Sequence, residues 1–185
     1  MPGLTPPMTL RSELELIGEP CPGSLSSQRT ALKALALRAG WPDWSHLANG
    51  KPTWNSGHLS LSHGGGWVVA IRGAGPVGID VEAPTSRLEN VRRRYVGAAD
   101  QPLLKHHGDN LDSLCRLWSA KEAAFKVFGT GLDFLTGLRW DSIGESEAVA
   151  TATLQSVQLH IQWHRLEEPE AWLAIAEPTG PRNPT

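Results

Sequence analysis

Two short segments carry acidic and basic side chains at spacings that could support catalysis. In the first, GIDVE at 78–82, Asp80 and Glu82 lie two residues apart on a predicted strand, so both carboxylates leave the same face. Two neighbouring carboxylates repel each other unless a cation lies between them or one is protonated. Their hard oxygen atoms favour Mg²⁺ or Mn²⁺ over zinc. The simpler interpretation is that both acids face water at the end of a strand.

The second segment is WSAKEAAFK at 118–126, a predicted helix in which Glu122 and Lys126 lie four residues apart and share a face. The simplest interpretation is an ion pair of about 0.2–0.5 kcal/mol. If the two segments converge, Glu122 adds a third carboxylate to the metal site and Lys126 meets a phosphate. Lys121 is rotated about 100° around the helix from Glu122 and would reach a different part of a ligand.

Composition narrows the class of protein. The chain has 185 residues, of which 40% are hydrophobic and 19% charged, so it can bury a core. A net charge of −2 argues against nucleic-acid binding by a general basic field. Two cysteines are too few for a disulfide scaffold or a four-cysteine zinc site. Without a signal-like start or an apolar run of about 20 residues, we expect a soluble cytoplasmic protein with no membrane partner.

The elements that would position the two segments follow from hydrophobic periodicity and turn residues. We expect an irregular lead of roughly 25 residues and a helix that Ser26 or Ser27 caps and Gly40 ends. Glycine-rich turns then separate three predicted strands: HLSLS, WVVAIRG and PVGIDVE. Helices are predicted over 87–96 and 112–128, the second ending at Gly129. Four strand-like runs follow: LRWDSI, EAVATATL, VQLHIQW and AWLAIAE.

This order of elements favours an α+β fold over a doubly wound sheet, because runs of strands are segregated from helices. It fits two similar α+β halves joined near Gly73–Pro76. We therefore predict an N-terminal half over 1–75, a C-terminal half over 76–177 that carries the acidic motifs, and a loose tail over 178–185.

Taken together, the motifs resemble those of the 4′-phosphopantetheinyl transferases, whose hallmark is a GID-x-E strand followed by a W-x-x-K-E-x-x-x-K helix. Here Asp80 and Glu122 lie 42 positions apart. Further segments match in order: the helix QRTALKALALR, GKP at 50–52, LSLSH at 59–63 and GTGL at 129–132. The resemblance runs from about residue 28 to residue 176 and is closest to the monomeric, two-halved type.

The resemblance implies two pseudo-symmetric α+β halves with the active site at their interface. It implies transfer of the 4′-phosphopantetheine arm of coenzyme A to a serine of an acyl, polyketide or peptidyl carrier protein, with release of adenosine 3′,5′-bisphosphate. Mg²⁺ or Mn²⁺ would be held by Asp80, Glu82 and Glu122. Either Glu122 or a metal-bound water would take the serine proton.

The same resemblance assigns the coenzyme A contacts by motif position. Four residues would surround its nucleotide end: Arg29, Lys51, Ser62 and His63. Ser62 and His63 would reach the 3′-phosphate, although Gly64–Gly66 follow where a serine is more usual in the family. Lys126 would offset charge on the pyrophosphate, and Lys121 would also contact phosphate.

Other functions stay open. The chain could be a homologue that binds coenzyme A without turnover, or a Mg²⁺-dependent hydrolase of the coenzyme A pyrophosphate. A Ser-His hydrolase is disfavoured, because the adjacent strand residues Ser62 and His63 point to opposite faces and no G-x-S-x-G surrounds the serine. His106–His107 is predicted to lie in a surface loop with no further ligand at metal spacing.

Overall fold

The computed structural model describes residues 14–41, 44–46, 52–54 and 57–180. Its strands are β1 (Leu14–Pro20), β2 (Trp44–His46), β3 (Pro52–Trp54), β4 (Gly57–Gly64), β5 (Trp67–Gly73), β6 (Gly78–Glu82), β7 (Leu138–Ile143), β8 (Glu147–Ala152), β9 (Val157–Glu167) and β10 (Glu170–Pro178). Its α-helices are α1 (Leu25–Arg38), α2 (Ser86–Asn90), α3 (Gln101–His107) and α4 (Leu111–Phe128). No helix in these ranges is both long and apolar enough to cross a membrane.

The strands form two antiparallel sheets, in the orders β1-β5-β4-β3-β2 and β6-β10-β9-β8-β7. Helix α1 packs on one face of the first sheet, and α4 packs on one face of the second. The other two faces meet in a shared apolar core. The molecule is therefore layered as helix, sheet, sheet and helix, and the α+β prediction is confirmed.

Alternation along β5 explains how one strand serves two cores. Val68 and Ala70 pack towards α1, whereas Val69 and Ile71 pack into the core between the sheets. All four are fully buried. A strand buried on both faces appears in sequence as a continuous apolar run, which is why WVVAIRG shows no alternation.

The structure corrects three details of the predicted elements. Residues 14–20, expected to be irregular, form β1, which pairs with β5 over its whole length. Helix α1 is capped by Ser24 rather than Ser26 or Ser27, because the Ser24 side chain accepts a hydrogen bond from the Ser27 N–H. Residues 101–107 form α3, so the predicted loop at His106–His107 is the last turn of a helix.

The elements around the acidic motifs agree with prediction. Strand β6 covers Gly78–Glu82, and α4 ends at Gly129, which adopts the left-handed conformation with φ of 80°. Strands β7–β10 fall on the four predicted runs. The first sheet ends with β5 at Gly73 and the second begins with β6 at Gly78. The assignment of these parts as separate halves stays a prediction.

Candidate active site beside strand β6 and helix α4

A glycine brings helix α4 against strand β6. A Cβ atom added at Gly78 would lie 1.9 Å from the backbone oxygen of Ala123, so only glycine allows this approach. On the same strand, Ile79 and Val81 point into the core between the sheets. Alternation therefore turns Asp80 and Glu82 to the opposite face, towards α4.

Asp80 is the residue on which the site converges. Lys126 Nζ of α4 donates to Asp80 Oδ1 at 2.7 Å and to the backbone oxygen of Ile79 at 2.9 Å. Ser62 Oγ of β4 donates to the same Asp80 Oδ1 at 2.7 Å. The first sheet, β6 and α4 thus meet at one carboxylate, which is almost wholly buried.

Glu82 and Glu122 lie half-buried around Asp80. Burial raises the pKa of the Glu122 carboxyl, the charge of Asp80 raises it further, and Lys126 opposes both effects. Burial also raises the pKa of Glu82, although the Ala83 N–H opposes this by donating to Glu82 Oε1 at 3.1 Å. Like charges therefore act on one another across the predicted metal site.

This donor set fits a hard divalent cation. Three carboxylates supply the oxygen ligands that Mg²⁺ and Mn²⁺ prefer. Burial and, to a smaller extent, the charge of Asp80 raise the pKa of Glu82 and Glu122, and a bound cation would oppose both effects. The carboxylate oxygens of Asp80, Glu82 and Glu122 do not all lie within 4.8 Å of one another. Among the described residues, a different group with this spacing is described below. The structure thus shows an acidic cluster around Asp80 rather than a closed set of ligands.

Lys126 retains a free donor. An ammonium group has three N–H donors, and those of Lys126 are used twice, for Ile79 and Asp80. Its side chain is 25% exposed. Within the described residues, the third donor is therefore available to a ligand at the surface of the site.

Lys121 is placed differently, and the prediction that it contacts phosphate is corrected. Its side chain is 1% exposed, and its ammonium group donates to Asp100 Oδ2 at 2.6 Å and to the backbone oxygens of Tyr95 and Phe134. All three donors are thus used inside the protein. Asp100 also accepts from Trp140 Nε1 and the Gly97 N–H, so this buried pair is fully hydrogen-bonded.

Two of the four predicted nucleotide contacts, Arg29 and His63, form a group with Lys126. Burial lowers the pKa of His63, and the positive charges of Arg29 and Lys126 lower it further. The Arg29 side chain is exposed, and His63 Nδ1 is buried without a hydrogen-bond partner among the described residues. These three cationic or polar groups would suit an anion. Lys51, which was also predicted to bind the nucleotide end, lies outside the described residues.

Sequence reasoning missed the role of two serines of β4. Ser60 and Ser62 are buried and point away from α1 towards β6, where each hydroxyl accepts a backbone N–H. In LSLS the alternation of apolar and polar residues predicts a half-exposed strand. Hydroxyls at alternate positions beside a glycine-rich turn were the available signal, but sequence alone could not identify their partners.

Among the residues that the structure describes, His106, His107 and Glu145 have ligand atoms that all lie within 4.8 Å of one another. Arg116 Nη1 lies 2.7 Å from His107 Nδ1 and donates to it, which leaves the ring proton on Nε2. Burial, with the charge of Arg116, lowers the pKa of His107 to about 4. Because the guanidinium occupies the lone pair that would bind a cation, we assign this group to packing.

A cavity of about 660 Å³ lies at the junction of the two sheets. Its wall includes His58 of β4, Pro76 before β6, Phe128 at the end of α4, and Gln158 of β9. Val127 also lines it and directly follows Lys126. The cavity has the size typical of pockets for small molecules and adjoins the end of α4 that carries Lys126.

Comparisons with known proteins agree with these motifs. The 4′-phosphopantetheinyl transferase psf-1 of Bacillus pumilus is 36% identical over 91 residues, which are 46% of this chain and 39% of that protein. A 4′-phosphopantetheinyl transferase of Bacillus subtilis is 32% identical over 77 residues, 40% of this chain and 34% of that protein. The 4′-phosphopantetheinyl transferase Sfp of Bacillus subtilis strain 168 is 31% identical over 77 residues, which are 40% of this chain and 34% of that protein. The alignments thus span less than half the length of these relatives.

The family comparison covers more of the chain. The family model of the 4′-phosphopantetheinyl transferase superfamily matches residues 76–176, more than half of the 185 residues. The matched region contains β6 and α4, and with them Asp80, Glu82, Glu122 and Lys126. On this evidence, the chain belongs to the 4′-phosphopantetheinyl transferase superfamily.

Proposed function

We propose that this protein transfers the 4′-phosphopantetheine arm of coenzyme A to a serine hydroxyl of a carrier protein. The serine oxygen forms a bond to the pyrophosphate phosphorus nearest the pantetheine, and the bond from that phosphorus to the bridging oxygen breaks. Adenosine 3′,5′-bisphosphate leaves with that oxygen. The acceptor is an acyl, polyketide or peptidyl carrier protein.

One observation carries this proposal: the Asp80 carboxylate and the Lys126 ammonium meet at 2.7 Å beside two further carboxylates, Glu82 and Glu122. Phosphoryl transfer needs negative charge on the transferring group to be neutralised, and a cation site next to a lysine does this. Such an arrangement suits a pyrophosphate substrate.

We assign Asp80, Glu82 and Glu122 to a divalent cation, Mg²⁺ or Mn²⁺. When bound, this ion neutralises charge on the pyrophosphate and orients it for displacement. Lys126 keeps one donor for the pyrophosphate while it holds Asp80 in place. Arg29, Lys51 and His63 bind the phosphate at the nucleotide end.

The serine proton needs an acceptor on this chain. Glu122 is the half-buried carboxylate that α4 holds beside Asp80, within the acidic cluster. We assign this role to Glu122.

We further propose that the enzyme acts as a cytoplasmic monomer. Ser62 of the first sheet and Asp80 and Lys126 of the second come together within one chain, so no second copy is needed for this contact. Both cysteines, Cys21 and Cys115, are free thiols, which suits a reducing compartment.

The test is to incubate the protein with coenzyme A, Mg²⁺ and a panel of apo-carriers, and to measure the intact mass of each carrier. We expect a mass gain equal to the phosphopantetheine arm on at least one carrier, together with adenosine 3′,5′-bisphosphate. Glu122→Gln should reduce the rate at least about 100-fold, because it removes both a ligand charge and the base. Glu147→Gln, on the distant strand β8, is the matched control and should transfer normally.

The same experiment separates the alternatives. Release of phosphopantetheine without any carrier would favour a hydrolase of the coenzyme A pyrophosphate. Binding of coenzyme A with no product on any carrier would favour a homologue without turnover. Near-normal transfer by Glu122→Gln, with the fold retained by circular dichroism, would contradict the assigned site.

A further inference from the structure

Strand β6 is an edge strand of the second sheet. Two of its outward-facing backbone N–H groups donate to side chains rather than to a neighbouring strand. The Ile79 N–H donates to Ser60 Oγ at 3.0 Å, and the Val81 N–H donates to Ser62 Oγ at 3.3 Å. Both serines belong to β4 of the first sheet. The two serines therefore link the two sheets. They also satisfy buried backbone donors whose burial would cost free energy if they had no acceptor.

The two serines differ in one respect. Ser62 Oγ also donates its proton to Asp80 Oδ1 at 2.7 Å, whereas Ser60 makes no hydrogen bond to a carboxylate among the described residues. A hydroxyl has one proton, so that of Ser62 is committed to Asp80. Ser62 is also only 6% exposed. A phosphate could bind this hydroxyl only if Asp80 lost its donor.

Lys126 and Ser62 bind the same oxygen of Asp80. Both distances to Oδ1 are 2.7 Å, and Oδ2 accepts no hydrogen bond from the part of the chain that the structure describes. Two donors on one oxygen fix the plane of the carboxylate and leave the other oxygen for a ligand. Such hydrogen-bond partners orient a metal-binding side chain. Their removal typically lowers metal affinity or activity by roughly 10- to 100-fold.

We propose that Ser62 is a positioning residue that orients Asp80 towards the divalent cation, and that its hydroxyl does not bind the 3′-phosphate of coenzyme A. This inference rests on the proposed function, since it assumes that Asp80 binds a metal ion. It revises the role that motif position alone gave to Ser62. His63, with its unpartnered ring nitrogen, keeps the assignment to the nucleotide end.

Ser62→Ala and Ser60→Ala form a matched pair for the test. Each variant loses one hydroxyl that accepts a β6 N–H, so both should be less thermally stable than wild type. Only Ser62→Ala removes a donor from Asp80. Titration of the protein with Mn²⁺, with free Mn²⁺ measured by electron paramagnetic resonance, should show about 10-fold weaker binding for Ser62→Ala and unchanged binding for Ser60→Ala.

A second measurement asks what the hydroxyl binds. Wild-type protein and both variants are assayed with coenzyme A and with 3′-dephospho-coenzyme A. We expect Ser62→Ala to lower the rate with both substrates by the same factor, and excess Mn²⁺ to restore part of it. Loss of the preference for coenzyme A in Ser62→Ala, with Mn²⁺ affinity unchanged, would overturn the inference and favour a contact with the 3′-phosphate.

Failure of the inference and failure of the proposed function give different results. If wild-type protein binds no Mn²⁺ and transfers nothing, the proposed function fails. If wild-type binds Mn²⁺ and Ser62→Ala binds it equally well, only the role of Ser62 is overturned. Should Ser62→Ala not fold, Ser62→Cys keeps a small side chain with a weaker donor, and its Mn²⁺ affinity should also fall relative to wild type.

Discussion

Two lysines five residues apart on one helix have opposite environments. Lys126 is partly exposed and retains a donor beside Asp80, whereas Lys121 is buried and uses its whole ammonium group on Asp100 and two backbone oxygens. Burying an ammonium group is costly unless it is paired and fully hydrogen-bonded. Lys121 therefore holds the fold around α4 together, whereas Lys126 keeps one donor for the pyrophosphate contact that we propose.

Replacing Lys121 tests this division. Lys121→Met leaves the Asp100 carboxylate buried without its counter-charge, and loss of one partner of a buried pair costs about 3–5 kcal/mol. We expect the free energy of unfolding, measured by urea denaturation, to fall by this amount. In the folded fraction, the KM for coenzyme A should stay within about twofold of wild type.

Lys105→Met is the control, because Lys105 is exposed on α3 and its loss should change stability by less than about 0.5 kcal/mol. A large rise in KM for coenzyme A in Lys121→Met, with little loss of stability, would restore the predicted phosphate contact.

At the residue scale, sequence spacing predicted which acids and lysines share a face of their element. It could not predict that Lys121 is buried in an ion pair while Lys126 lies beside Asp80. The partner that distinguishes Lys121 is Asp100, 21 residues away in a turn before α3. Ser62 presents the same problem, because its hydroxyl meets Asp80 across two sheets. Family resemblance supplied roles for both residues by position, and their tertiary partners are the reason that we propose different roles for them.

At the element scale, the site depends on how closely α4 approaches β6. Gly78 and the backbone of Ala123 are in contact, and a Cβ at Gly78 would have to displace the helix. Since Glu122 and Lys126 are carried by the same helix, such a displacement would move both away from Asp80. A glycine here is a requirement of packing rather than of backbone conformation.

Gly78→Ala should therefore damage stability and activity together. Overpacking typically costs about 1–3 kcal/mol, and we expect a loss at or above this range in thermal denaturation, with transfer reduced at least about 10-fold. Gly180→Ala is the control, because a Cβ there meets nothing within 4 Å. Wild-type activity in Gly78→Ala would show that α4 can shift without disturbing the site.

Elements with strong periodicity or clear ends were predictable, and elements defined by pairing were not. Helix α4 has an 18-residue amphipathic pattern and a terminal glycine, β9 alternates apolar and polar residues, and β10 carries a continuous apolar run. Strand β1 gives a weaker signal, since LELIGEP is short and ends in a proline, and it is stabilised by its pairing with β5. Helix α3 has only seven residues.

At the scale of the whole molecule, the two sheets share one apolar core. Ile71 of β5 and Leu173 of β10 are fully buried in the same cluster, together with Ile79 and Val81 of β6. The strand that carries Asp80 and Glu82 is thus packed against the first sheet through alternate residues. A core shared in this way should couple the unfolding of the two sheets.

This coupling can be tested with Ile71→Ala, a change on a strand of the first sheet at the core that the two sheets share. Truncating a buried isoleucine to alanine costs about 2–5 kcal/mol. Strand β9 lies in the second sheet and contributes only Leu166 to the shared core. If the sheets unfold as one unit, the free energy of opening measured by amide hydrogen exchange in β9 should fall by the same amount. Leu37→Ala, at a side chain 60% exposed on α1, should leave exchange unchanged. Unaltered β9 exchange in Ile71→Ala would mean that the second sheet is stable without the first, and that the contact between Ser62 and Asp80 can open without global unfolding.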